Sequence, residues 1–144
     1  MTVMFCGHGK YRYAPEDRQR LEKEVERLIL DGATMFFHGG YGQFDHMAAS
    51  VVWKLKGRYP HIESVFVLPY LDREVDTSIY DYTTYPPLEK VPLKYAIARR
   101  NRWMVDNSDI VIAFVRYSWG GAATTLEYAE RKNLKIIQLA DSHI

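Results

Sequence analysis

Five short apolar runs, each closed by glycine, proline or a polar turn, limit what this chain can fold into. They are "TVMFCG", "ATMFFHGG", "ESVFVLPY", "DIVIAFVRY" and "LKIIQLA". None alternates strictly between apolar and polar residues, as a strand with one face in water does; continuous runs belong to strands covered on both faces. Segments with helical spacing lie between them. "APEDRQRLEKEVERLILDG" carries Pro15 near its first turn, acids early, apolar Leu21, Val25, Leu28 and Ile29, and Gly32 as its stop. "DHMAASVVWKLKGRYP" reads as a second helix, with Asp45 as its N-cap and Gly57 and Pro60 closing it. "PLKYAIARRNRWMVDNS", with Pro92 near its start, and "SWGGAATTLEYAERKN" supply a third and a fourth. This alternation predicts an α/β fold, a doubly wound, mainly parallel sheet of about five strands with helices on both faces.

In such a sheet the strand C-termini share one edge, and ligands bind there, where the strand order switches direction. Three glycine-bearing loops fall on that edge: "GHGKY" after the first strand, "GGYGQFD" after the second and "WGGAATT" after the fourth. Turn-making accounts for any one of them. Three together argue for a place where backbone approaches a ligand closely, through Gly7, Gly39, Gly40, Gly42, Gly120 and Gly121. The last loop leads straight into a helix, whose first N–H groups lack internal partners and favour an anion. Ala122, Ala123, Thr124 and Thr125 add backbone donors and hydroxyls. No Walker-type lysine follows, so a single phosphate or ribose phosphate fits better than a triphosphate.

The remaining composition narrows the class. With 144 residues, 47% of them hydrophobic, the chain reads as one domain, residues 1–144, with a real core. A net charge of +1 gives no whole-protein attraction to nucleic acid or anionic membrane. The single cysteine, Cys6, excludes an internal disulfide framework and fits a reducing cytoplasm; inside the first strand it reads as core. The N-terminus is too soon broken by glycine for a signal peptide, and no run is long enough to span a bilayer. Residues 71–91 are polar, aromatic and proline-containing, and read as a long irregular loop. The 11 tyrosines and 3 tryptophans, many near loops, fit either loop packing or a stacking surface for a flat ligand.

"GHGKYR", "FFHGGYGQFDHMAASVV", "RRNRWMVDNSDIVIAF" and "WGGAATTLEYA" together resemble the SLOG superfamily. That Rossmann-like group includes the Lonely Guy phosphoribohydrolases, the Smf/DprA DNA-binding proteins and the YpsA-like proteins. The YpsA-like branch is the nearest in pattern. "RNRWMVDNSD" followed by a glycine pair carries most of the resemblance, which extends over nearly the whole chain. The more distant Lonely Guy pattern, PGGxGTxxE, is matched by Gly120, Gly121, Thr124 and Glu127, with Trp119 in place of its proline and Ala123 in place of its third glycine. Its catalytic arginine falls on Arg100.

The resemblance implies a nucleotide-like ligand, no cofactor and a homodimer or higher oligomer, with Trp53 or the Tyr-rich loop at the contact. If the protein is an enzyme, it implies an N-glycosidase of nucleoside monophosphates using Glu127 and Arg100. From the residues alone, Glu127 either interacts with the helix dipole or is directed at ribose hydroxyls. Arg100 is either solvent-exposed or grips a phosphate. Asp45 caps its helix, accepts a ribose hydroxyl, or does both. His8 and His38 lie beside glycines at strand ends and are expected near the site. No ligand spacing for zinc accompanies them.

Overall fold

A computed structural model describes residues 1–140. Its elements are β1 (Thr2–Gly7), α1 (Pro15–Leu30), β2 (Met35–His38), α2 (Gln43–Lys56), β3 (Glu63–Val67), β4 (Tyr82–Thr84), α3 (Ala96–Asp106), β5 (Ile110–Phe114), α4 (Gly121–Arg131) and β6 (Lys135–Gln138). All strands are parallel, in the order β4-β3-β2-β1-β5-β6. The chain moves outward from β1 through β2 and β3 to β4, then returns to place β5 on the other side of β1. The switch point lies between β1 and β5.

Period-two geometry explains the uninterrupted apolar strands. Val3 and Phe5 of β1 face α1 and α2, packing with Leu21, Val25, Phe44 and Val52. Met4 and Cys6 face the opposite way, toward Met104 and Val105 of α3 and Leu126 and Ala129 of α4. Each β1 side chain from Val3 to Cys6 is buried, and full burial of such a side chain is worth about 1.5–3 kcal/mol. A polar residue at either phase of β1 would face a core.

The sheet has six strands rather than about five. The extra one, β4, lies within residues 71–91 and pairs with β3 through Val65–Tyr82, Phe66–Thr83 and Val67–Thr84. Tyr82 and Thr83 are exposed and Thr84 is partly so. An edge strand with so little to bury has no apolar run to announce it. Asp81 anchors its start, with Oδ2 accepting the Ser64 N–H at 2.8 Å and Oδ1 2.8 Å from Lys56 Nζ. Tyr80 packs its ring against Phe66 and His38, at 4.9 and 5.6 Å between centroids. The third helix also differs in detail: a 3₁₀ turn at Leu93–Tyr95 follows Pro92 and leads into α3.

His38 ends β2 with no exposed surface, its ring stacked on Phe5 at 5.0 Å and 13°. Neither ring nitrogen has a hydrogen-bond partner. Burial disfavours the charged ring and pushes its pKa down to about 3. The unfolded chain therefore takes up a proton near pH 6.5 that the native state refuses. Stability contributed by neutral His38 is full above about pH 6.5 and is lost as pH falls toward 3. His38→Phe, which keeps the stack and removes two unsatisfied nitrogens, is expected to stabilise by about 1–2 kcal/mol at pH 7. Urea unfolding at pH 7 and pH 5 should show a gain that grows in acid.

Candidate functional site

The three glycine loops meet at the C-terminal edge of the sheet. The Gln43 N–H, after the β2 loop, donates to Gly9 O of the β1 loop at 2.9 Å. The Arg116 N–H, after β5, donates to His8 Nε2 at 2.8 Å. Below this junction a cleft of about 130 Å³ opens beside the switch point, lined in part by Cys6, Gly7, Asp45, Arg100, Gly121 and Thr125. A wider open depression of about 680 Å³, lined by Lys10, Arg12, Tyr13 and Gln43 among others, lies on the α2 side. The smaller cleft holds the buried Arg100 and the half-buried Asp45.

Arg100 is the central side chain. It is only 2% exposed, so it is neither a surface arginine nor a flexible one. From α3 it crosses the ends of two strands: Nη1 donates to Gly39 O at 2.7 Å and to Val67 O at 2.6 Å. Nε donates to Asn101 Oδ1 at 2.9 Å. Nη2 carries none of these bonds, and it stands 3.1 Å from where a Gly39 Cβ would lie. Burial opposes the positive charge while Asp45, Tyr41 and Tyr70 support it. A guanidinium keeps its proton under such opposition.

Asp45 does not cap α2. The N-cap is Gly42, at φ +93°, and Asp45 sits in the first turn, its Oδ2 accepting the Tyr41 N–H at 3.1 Å. The carboxylate therefore turns back toward the β2 loop and Arg100. Oδ2 would lie 2.8 Å from a Cβ at Gly39, so the bare backbone of Gly39 is what admits both charged groups. Burial raises the Asp45 pKa to about 6, against the opposing pull of Arg100.

Because that pKa is raised above the unfolded value near 3.9, the native state holds the proton longer. The resulting stability is full below about pH 4 and is lost as pH rises through 6. An anion in the cleft meets less repulsion once Asp45 is neutral. Sulfate keeps its charge over this range, so its affinity is expected to rise several-fold from pH 7 to 5.5. Calorimetric titration of Asp45→Asn should show that pH dependence gone.

The helix start of α4 completes one wall. Gly120 is its N-cap at φ +93°, and Gly121 and Ala122 line the cleft with Thr125. A Cβ at Gly121 would meet nothing within 4 Å, so the space above this helix end is open. The Thr124 and Thr125 hydroxyls donate to Gly120 O and Gly121 O, at 3.1 and 2.9 Å. Their oxygens remain able to accept, and the helix-start N–H groups remain the donors for an anion. Ala123 is buried in the core.

The cleft thus gathers Gly7, Asp45, Arg100, Gly121, Ala122 and Thr125, with Gly39 behind the charges. Gly40 lies beside Phe66, turned away from the cleft. Glu127 is exposed on α4 and does not line the cleft. His8 is buried beneath Tyr11 and Tyr117, and His38 in the core under α2. Sequence reasoning passed over Tyr41, Ile97, Asn101 and Met104, which line the cleft. Ile97 and Met104 stand three residues before and four after Arg100, the helical spacing that places them on its face; Asn101, one residue on, carries no such signal. Cys6 reaches the same wall, but its thiol donates to Ala122 O at 3.1 Å and burial pushes its pKa up to about 12. It is no nucleophile.

A parallel sheet with a cleft beside its switch point, lined by a buried arginine and a helix start, defines a Rossmann-like fold. The sequence matches no protein-family model and no curated protein. The backbone is similar to DNA processing protein A from Helicobacter pylori, whose binding of single-stranded DNA is described: TM-score 0.68, 18% identity, 96% of this chain and 64% of that one. The corresponding Streptococcus pneumoniae protein gives 0.67, 17%, 95% and 49%. The molybdenum cofactor carrier protein of Chlamydomonas reinhardtii gives 0.64, 15%, 95% and 74%. This chain therefore spans about two thirds and one half of the two DNA processing proteins. At 15–18% identity the likeness is one of fold. Among the described residues no helix is long and apolar enough to cross a membrane.

Proposed function

We propose that this protein binds a nucleotide or nucleotide-derived molecule by its phosphate in the Arg100 cleft and acts as a sensor or carrier. One observation carries the reading: the buried guanidinium of Arg100, fixed by two strand-end carbonyls, belongs to a side chain that lines the same cleft as Gly121 and Ala122 at the start of α4. A preorganised guanidinium and the backbone N–H groups of a helix start are both donors suited to phosphate recognition. The small-molecule cargo named for the Chlamydomonas carrier supports the same class of role. Membership of the YpsA-like branch, resting on "RNRWMVDNSD" and the glycine pair, belongs to this proposal.

Hydrolysis of an N-glycosidic bond is the second reading, and one feature favours it. Asp45 is a carboxylate with its pKa raised to about 6, lining the cleft itself. Such a group suits general acid–base work near neutrality. Glu127, the residue that the Lonely Guy pattern would assign, stands outside on the α4 surface.

A thermal-shift screen of nucleoside mono-, di- and triphosphates, NAD and ADP-ribose tests the proposal, with each hit checked for released base. A ligand that binds the native state raises the melting temperature and stays intact. Base release that vanishes in Asp45→Asn would establish the hydrolase instead. No shift with any phosphate-bearing compound would remove the site. Self-association through the half-exposed Trp53 is part of the same reading, and light scattering that shows a monomer at all concentrations would sink it.

A further inference from the structure

The cleft holds about 130 Å³, well below the roughly 300–1,000 Å³ of sites that enclose a whole small molecule. Taking the phosphate-binding reading above as its base, most of a nucleotide must therefore lie outside the cleft. Tyr41, which lines the cleft, already has the Arg100 guanidinium 5.7 Å from its ring centre and Phe66 at 6.4 Å; a more exposed aromatic face stands on the loop before α4. His8, Tyr117 and Trp119 form a column of rings, with centroids 4.6 Å apart for the first pair and 4.7 Å for the second. Tyr117 and Trp119 are near parallel, at 19°. The column runs from a buried histidine to an indole that is 68% exposed and whose only ring partner among the described residues is Tyr117.

This column stands on loops that continue into the cleft's walls. His8 follows Gly7, and Trp119 stands two residues before Gly121, both of which line the cleft. Two peptide units keep the Trp119 and Gly121 Cα atoms within about 7 Å. The loop carrying the rings is fixed at several points. Gln138 clasps Val115, its Oε1 accepting the N–H at 3.1 Å and its Nε2 donating to the carbonyl at 3.2 Å. The Arg116 N–H binds His8 Nε2, and Arg116 Nη1 donates to Tyr11 Oη at 2.8 Å. The loop is thus anchored at its start, and the Tyr117 stack orients the exposed indole for a flat partner.

The competing place for a ring is the groove of about 220 Å³ between α3 and α4, where Tyr128 is the aromatic residue. Tyr128 is already covered. Arg102, Arg131 and Lys132 stand 5.3, 5.8 and 5.4 Å from its ring centre, and its hydroxyl donates to Asp106 at 2.8 Å. Among the described residues no cation is recorded over the Trp119 ring, which is 68% exposed. We infer that the His8–Tyr117–Trp119 column is a stacking platform for the nucleobase of a ligand whose phosphate lies in the Arg100 cleft.

Two probes separate the platform from the cleft: AMP, which has a base, and ribose 5-phosphate, which has none. Calorimetric titration of the native protein and of Trp119→Ala and Trp119→Phe reads both. Stacking on one aromatic ring corresponds to roughly a tenfold change in affinity. Trp119→Ala is expected to bind AMP about tenfold more weakly and ribose 5-phosphate unchanged, with Trp119→Phe restoring most of the AMP affinity. AMP should also quench the emission lost in Trp119→Phe. Equal AMP binding by native protein and Trp119→Ala overturns the platform and leaves the cleft, directing the base to the α3–α4 groove. Failure of both probes on the native protein overturns the cleft reading and the platform with it. Trp119 emission that changes with protein concentration and not with AMP assigns the indole to contact with a second copy, and also overturns the proposal.

Discussion

Arg100→Met is expected to lose about 3–5 kcal/mol of stability and all measurable anion binding. Methionine keeps most of the buried stem, so the loss isolates the guanidinium. Gly39 O and Val67 O each lose their 2.7 and 2.6 Å donor at the ends of β2 and β3. Each carbonyl left buried without a partner costs about 1–3 kcal/mol. Asp45 also loses the charge that supports its ionised form. Replacing a whole buried ionic set by apolar residues can be neutral, but removing one member strands the rest. Protonation of Asp45 limits the damage, so the loss should be smaller at pH 5 than at pH 8. Adding Asp45→Asn should recover part of it at pH 8. Urea unfolding reads all four combinations, and a loss under 1 kcal/mol for Arg100→Met would mean that the arginine does not hold the strand ends together.

Gly42→Ala is expected to be the second most damaging single change, at about 3 kcal/mol. Its φ of +93° lies where an L side chain is strained, and the added Cβ would stand 2.5 Å from Gly9 Cα. The strain costs about 1–2 kcal/mol and overpacking about 1–3. The obstacle is backbone, so no rotamer change relieves it. Relief requires the β1 and β2 loops to separate, which breaks the bond from Gln43 N–H to Gly9 O. Anion affinity should therefore fall along with the melting temperature. Gly121→Ala is the control, since a Cβ there meets nothing within 4 Å. It should leave the melting temperature within about 1 °C of native or raise it, because alanine favours helix over glycine.

Much of this architecture was legible in the chain because the strands bury both faces and therefore spell themselves out in apolar residues. β5, "IVIAF", is the clearest case, buried at every position. β4 was not legible: Tyr82–Thr84 forms an edge strand through backbone pairing alone, which leaves no apolar trace. The meeting of the glycine loops followed from topology, since parallel strands share one C-terminal edge. Asp45 was misassigned as a cap because an acid before an apolar run is the usual N-cap signal. Gly42 took that place through a positive φ, and the first-turn position aimed the carboxylate at the β2 loop. The work of Arg100 was hidden for a different reason. Its acceptors stand 61 and 33 residues away in sequence, on strands that only the fold brings beneath α3.

The most direct test of the phosphate cleft uses Gly121→Asp, because it separates binding from folding. The new side chain enters open space, and a carboxylate in the first turn favours the helix dipole by about 0.3–1 kcal/mol. The fold should be retained, while the added charge occupies the place proposed for the phosphate. Calorimetric titration with AMP should then show binding by the native protein and at least a tenfold weaker affinity in Gly121→Asp, with the melting temperature kept. Equal affinity in the two proteins would place the anion elsewhere and contradict the account.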